Sequence, residues 1–292
     1  MFARRLWRGE GVDLVGFEAE AGSQPPLLLL HGVSRCRHTF APLFPWLVPR
    51  LSLLAYDHRG HGDSQHAVGY RVVDYAADCI SVVSRMQSRV ILYGHSLGAL
   101  VALATAAALP EKIAGLVLED PPGPAFLATV DRSPYAALFT LYQTHAGSTL
   151  AVGELAARLA AAAIPAGSGT EPTTFGATRD LASIRFTAAC LKSLDPATMD
   201  PLLAGAWLEG IDWPAVLRGV TCPALVLRAD PARGGMLPDG DFLALRETLP
   251  DITAIDLTGI GHNAVGQQPD IVPKYVIPFL ETLPVVWDHP TS

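Results

Sequence analysis

Cysteine is scarce: 292 residues hold four, Cys36, Cys79, Cys190 and Cys222, far apart and without a CxxC pair. Such spacing suggests neither a zinc site nor a disulfide framework, so reduced, mostly buried thiols and no bound metal are expected. Basic charge is in deficit as well. Lysine and arginine total 21 against 28 acidic residues, a formal charge of -7, with no long run of either sign. Nucleic acid is therefore a poor partner. Long apolar runs are missing too. PPLLLL at 25–30 and LAARLAAAAI at 155–164 both fall short of the roughly 20 residues that cross a bilayer, so no membrane span is expected. The opening MFARRLWRGEGVDLVG has arginines but no apolar stretch of the secretory kind, which makes a cytoplasmic location the expectation.

What the chain does have is apolar mass, 50% of its residues, enough for a sizeable core. Short apolar runs ending in glycine or aspartate alternate with longer helical patterns, as in βαβ units that build a parallel sheet. The candidate strands are LLLLHG, LSLLAYD, RVILYG, AGLVLED, PALVLRAD and ITAIDLTG. Between them, YRVVDYAADCISVVSRM places Val72, Ala76, Ile80 and Val83 on one helical stripe. The rhythm stops between about Pro121 and Val220, where no strand-like run appears. There TLAVGELAARLAAAAI and RDLASIRFTAACLKSL read as helices. The division expected is a core of 1–120 and 221–292 with a helical cap inserted at 121–220.

One junction carries chemistry. In VILYGHSLGALVALATAAALP a β-branched strand runs into an apolar helix, with Ser96 between Gly94 and Gly98. Glycines on both sides permit a tight, strained turn that lifts the hydroxyl above the sheet edge. The helix start behind it offers unpaired N–H groups to a developing oxyanion. A serine hydroxyl needs a base. His262, in the glycine-bounded loop TGIGHN after the last apolar strand, is placed to serve. The base needs an acid, and two compete: Asp230 at the end of PALVLRAD and Asp120 at the end of GLVLED. Asp230 is favoured, because one helix and one strand separate it from His262, which puts both on neighbouring strand ends. The metal-like set His58, His61, His66, Asp57 and Asp63 lies in a glycine-rich turn without ligand spacing and reads as loop architecture.

The blocks LLLLHGVS, AYDHRGHGDS, YGHSLGA and TGIGHN together resemble the α/β-hydrolase superfamily, in its esterase- and lipase-like serine branch with a helical cap. The resemblance implies an α/β fold with a mostly parallel central sheet flanked by helices. It also implies oxyanion N–H groups at Val33 and Leu97, and no cofactor. The DxRGxGxS block is structural in that family. The expected activity is hydrolysis of a small-molecule carboxylic ester or lactone through an acyl-enzyme on Ser96, with Asp230 and His262 completing the triad and Asp120 the alternative acid. Cap aromatics, Phe126, Tyr135, Phe139, Tyr142 and Trp207, would line an apolar pocket. Carbon–carbon bond hydrolysis, cofactor-free perhydrolysis and non-catalytic capture of a small ligand are the alternatives. The oligomeric state stays open, a homodimer included.

Overall fold

The computed structural model describes residues 2–19, 25–165 and 173–283. Eight strands form one sheet: β1 (Phe2–Arg8), β2 (Asp13–Ala19), β3 (Leu27–Leu30), β4 (Leu53–Tyr56), β5 (Val90–His95), β6 (Ile113–Glu119), β9 (Ala224–Ala229) and β10 (Ile252–Leu257). A separate hairpin pairs β7 (Ala163–Ile164) with β8 (Thr173–Thr174). The order across the large sheet is β1-β2-β4-β3-β5-β6-β9-β10. From β4 to β10 all neighbours are parallel, and β1 and β2 run antiparallel at one edge.

The six expected apolar runs are the six parallel strands. Five of them, β3 to β6 and β9, are buried at every residue and need no polar alternation, whereas β10, at the sheet edge, exposes Thr253 and Asp256. In β3, Leu28 and Leu30 join one buried cluster while Leu27 and Leu29 join the other, so successive side chains supply the two layers. The β1–β2 edge was not anticipated. In β1 nearly every residue is exposed, Phe2 and Leu6 included, so no one-sided apolar rhythm marks it. The helix Leu97–Ala108 is apolar all round because its first ten residues are buried. On the helix Val72–Ser84 the expected stripe is buried at Val72, Ala76 and Val83, with Ile80 half-buried.

Between β6 and β9 the chain forms helices over Pro134–His145, Val152–Ala161, Leu181–Lys192 and Trp213–Gly219. Three have side-chain N-caps: Ser133 accepts from Tyr135 N–H, Asp180 from Ser183 N–H and Asp212 from Ala215 N–H. Residues 166–172 of the expected cap lie outside the described set. The β7–β8 hairpin falls in this segment, where no strand was expected. The segment is tied to the rest by Tyr70 Oη donating to Asp195 Oδ2 at 2.6 Å and Tyr135 Oη donating to Gly234 O at 2.7 Å. Cys36 and Cys190, 154 positions apart, meet here with Sγ atoms 3.6 Å apart as free thiols. No helix among the described residues is long and apolar enough to cross a membrane.

Candidate active site

β5 ends at His95, and Ser96 turns the chain into the next helix with φ 54° and ψ -119°. A non-glycine residue in this region stores about 1–3 kcal/mol of strain, which the packing on either side must hold. That packing is glycine-dependent. A Cβ at Gly94 would sit 2.2 Å from Gly98 O, and one at Gly98 would sit 1.9 Å from Leu30 O. At Gly32 it would lie 3.1 Å from the Ser96 Cβ, so the HG glycine lets the loop after β3 pass beside the serine. Ser34 in that loop also has positive φ, 61°. The N–H of Leu97 belongs to the first turn of its helix, where no intrahelical carbonyl is available to it.

His262 lies beyond β10, and its Nδ1 is 2.6 Å from Asp120 Oδ2. Asp120 directly follows β6, is fully buried, and holds φ 43°. Its carboxylate also accepts from Met236 N–H at 2.8 Å and Ala229 N–H at 3.1 Å. The pairing expected of Asp230 is thus made by Asp120. Asp230 instead caps its own turn, accepting from Ala232 N–H at 2.9 Å and from Gly259 N–H at 2.8 Å, contacts that lower its pKa. A strand-end aspartate followed by proline turns back on the local backbone, which takes Asp230 away from the imidazole.

Four further histidines surround these groups, and burial holds all of them neutral. The pKa values of His31 and His61 are pushed down to about 3, while those of His58 and His95 lie well below the usual value. Their hydrogen bonds assign the tautomers. His31 donates from Nδ1 to Gly32 O and accepts His58 N–H at Nε2. His61 donates to Arg59 O and accepts Ser34 N–H. The HG loop is therefore pinned by neutral imidazoles. His95 donates from Nε2 to His262 O at 2.9 Å, fixing the backbone of the loop. Below them, Asp57 accepts from Arg37 and from Asp63 N–H, and Arg59 grips Asp78 through two bonds of 2.7 Å each. Glu119, buried beside Asp120, accepts from Tyr93 Oη and Val265 N–H; burial pushes its pKa up to about 7.

Ser96, His262 and Val33 line one cavity of about 860 Å3. Of the expected aromatics, Tyr135, Phe139 and Tyr142 line it. Phe126 and Trp207 do not. Phe126 sits behind Tyr135, ring centres 5.1 Å apart, and Trp207 is packed in the core with its carbonyl accepting from Val72 N–H. The wall also carries Arg35, Arg179 and Arg233, which sequence reasoning missed. Only Arg35 had a signal, its place just beyond the HG block.

Residues 25–145 match the family model described as the α/β hydrolase fold. The crystal structure of E-2-(acetamidomethylene)succinate hydrolase superposes with a TM-score of 0.75 at 23% identity, over 96% of this chain and 100% of that one. The chain has the α/β-hydrolase fold. Among its relatives, the 2-(acetamidomethylene)succinate hydrolase of Mesorhizobium japonicum is 29% identical over 276 residues, 90% of each chain. The pimeloyl-[acyl-carrier protein] methyl ester esterase of Neisseria meningitidis is 37% identical over 90 residues, 31% of this chain and 34% of that one.

Proposed function

We propose that this protein of the α/β-hydrolase fold cleaves a carboxylic ester or lactone through an acyl-enzyme on Ser96, with His262 as base and Asp120 as the acid that orients it. The observation that carries the reading is the 2.6 Å contact from His262 Nδ1 to Asp120 in a cavity that also holds the strained Ser96. With Nδ1–H committed to a buried carboxylate, Nε2 is left as the acceptor for the serine proton. Ser96 Oγ adds to the carbonyl, and the N–H groups of Val33 and Leu97 take the oxyanion. Collapse expels the alcohol, which receives its proton from the imidazolium. Water, deprotonated by the same Nε2, then releases the acid and restores Ser96. His95, neutral and bonded to the His262 carbonyl, holds the base in place without competing for the proton. Residues 121–220 act as the cap over this chemistry, contributing Tyr135, Phe139 and Tyr142 to the acyl pocket.

A second reading, cleavage of an acyl–nitrogen bond by the same groups, draws support from the 29% identity to 2-(acetamidomethylene)succinate hydrolase across 90% of both chains. The test of the first is hydrolysis of p-nitrophenyl esters of increasing acyl length by wild type and Ser96→Ala. Activity that depends on chain length and falls by about a thousandfold or more in the variant is expected. Equal rates from both proteins would remove Ser96 from the chemistry. An N-acyl enamine that turns over faster than every ester would favour the second reading.

A further inference from the structure

The cavity wall differs in charge from the protein as a whole. The chain carries a formal -7, yet three arginines, Arg35, Arg179 and Arg233, line the cavity that holds Ser96, Arg179 with its guanidinium 5.4 Å from the centre of the Phe175 ring. One carboxylate shares that wall, Asp180, and it is occupied as a helix cap by the N–H and hydroxyl of Ser183.

Arg35 is the most informative of the three. It is half-buried, and among the described residues no carboxylate pairs with it. The other buried or half-buried arginines among the described residues are all neutralised: Arg37 by Asp57 and Asp63, Arg59 by Asp78, Arg228 by Asp239 and Asp256. The one side-chain bond of Arg35 goes from Nη1 to Thr187 Oγ1 at 2.7 Å, a neutral acceptor on the helix Leu181–Lys192. Most of its fork of N–H donors is thus uncommitted. Its backbone is held firmly, with Arg35 N–H on Gly32 O and the preceding Ser34 N–H on His61 Nε2. The charge also reaches the elbow, where it helps to hold the His95 and His31 rings neutral. A half-buried cation without a counter-charge is costly unless something else supplies one.

We propose that the missing counter-charge is the substrate's: the cavity selects an acyl substrate that bears a carboxylate, bound by Arg35, with Arg179 and Arg233 adding positive potential around it. The inference rests on the Ser96 reading for its chemistry, but not for its binding step. A guanidinium facing a carboxylate offers parallel N–H···O bonds that an alkyl terminus cannot accept. The substrate class is therefore a half-ester, or another acyl derivative, of a dicarboxylic acid, and not a fatty ester.

The test uses two esters that differ only at the far end of the acyl chain, mono-p-nitrophenyl adipate and p-nitrophenyl hexanoate. Wild type should favour the adipate by about tenfold or more in kcat/KM. Arg35→Met should reduce that ratio by about 10- to 100-fold, Arg35→Lys should restore part of it, and added salt should narrow it. A wild type that prefers hexanoate, or an Arg35→Met protein that slows both esters equally, would overturn the proposal. Binding is read separately by calorimetry on Ser96→Ala protein with monoethyl adipate and ethyl hexanoate. Adipate binding that Arg35→Met abolishes supports the proposal even if neither ester is hydrolysed, in which case the acyl-ester reading alone falls. Absence of adipate binding, or equal binding with Met at position 35, overturns it.

Discussion

Replacing Asp120 by Asn keeps the shape of the side chain and removes its charge, which makes the consequences countable. In the wild type one carboxylate oxygen accepts from both Met236 N–H and His262 Nδ1, and the other accepts from Ala229 N–H. An amide has a single acceptor oxygen. With that oxygen on the His262 side, the NH2 group opposes the Ala229 N–H. Turned around, the NH2 opposes Met236 N–H and forces His262 into the tautomer that protonates Nε2. Either orientation leaves at least one buried donor unpaired, a cost of about 1–3 kcal/mol in stability. In both orientations the imidazolium formed during acyl transfer has lost its anion, so turnover should fall by about a thousand- to ten-thousandfold. Asp230→Asn should change turnover by no more than about twofold, because that side chain accepts from the Ala232 and Gly259 N–H groups and not from the imidazole. The assay is kcat/KM on the best p-nitrophenyl ester, alongside urea unfolding of both variants. A loss under tenfold for Asp120→Asn, or a larger loss for Asp230→Asn, would refute the reasoning.

Other expectations concern the frame around the site. Gly98→Ala would set a Cβ 1.9 Å from Leu30 O, so the variant should lose about 3 kcal/mol or more or fail to accumulate as folded protein, read by its urea midpoint. Arg59→Met leaves the Asp78 carboxylate buried without its ion pair, and about 3–5 kcal/mol should be lost in the same measurement. His31 and His61 have folded pKa values lowered to about 3, so below the usual value near 6.5 the unfolded chain binds more protons and stability falls with pH. These two alone contribute a slope of about 2.7 kcal/mol per pH unit, with His58 and His95 acting in the same sense. Glu119, pushed up to about 7, works the other way between 4.5 and 7, because there the folded state holds the proton. Unfolding free energies at pH 7, 6 and 5 should decline, and Glu119→Gln should steepen the decline; a flat profile would contradict the burial assigned to these groups.

The elbow was legible because its chemistry is local: a strand, a serine between two glycines and an apolar helix are contiguous, and the clashes at Gly94 and Gly98 explain why no larger residue stands there. The parallel strands were legible for a similar reason, five of the six being apolar runs buried on both faces and the edge strand β10 keeping enough apolar residues to read as a strand. The acid was not. Asp120 and Asp230 both end strands on the same edge, β6 and β9, and both precede His262 in the chain. What separates them is side-chain direction. Asp120 takes a left-handed backbone conformation and points inward, while Asp230 spends its oxygens on Ala232 and Gly259. The edge hairpin escaped notice because β1 is exposed on nearly every residue. The arginines of the cavity were hidden for a different reason: Arg35, Arg179 and Arg233 come from three separated stretches that only the fold assembles.

The central claim is that Ser96 is a nucleophile activated by the His262–Asp120 pair. Its most direct test is incubation with a small fluorophosphonate, followed by intact mass and peptide mapping. The account predicts one adduct per chain, on Ser96, absent from Ser96→Ala and formed far more slowly in Asp120→Asn. A wild-type protein that stays unlabelled, or one labelled at another residue, would contradict it.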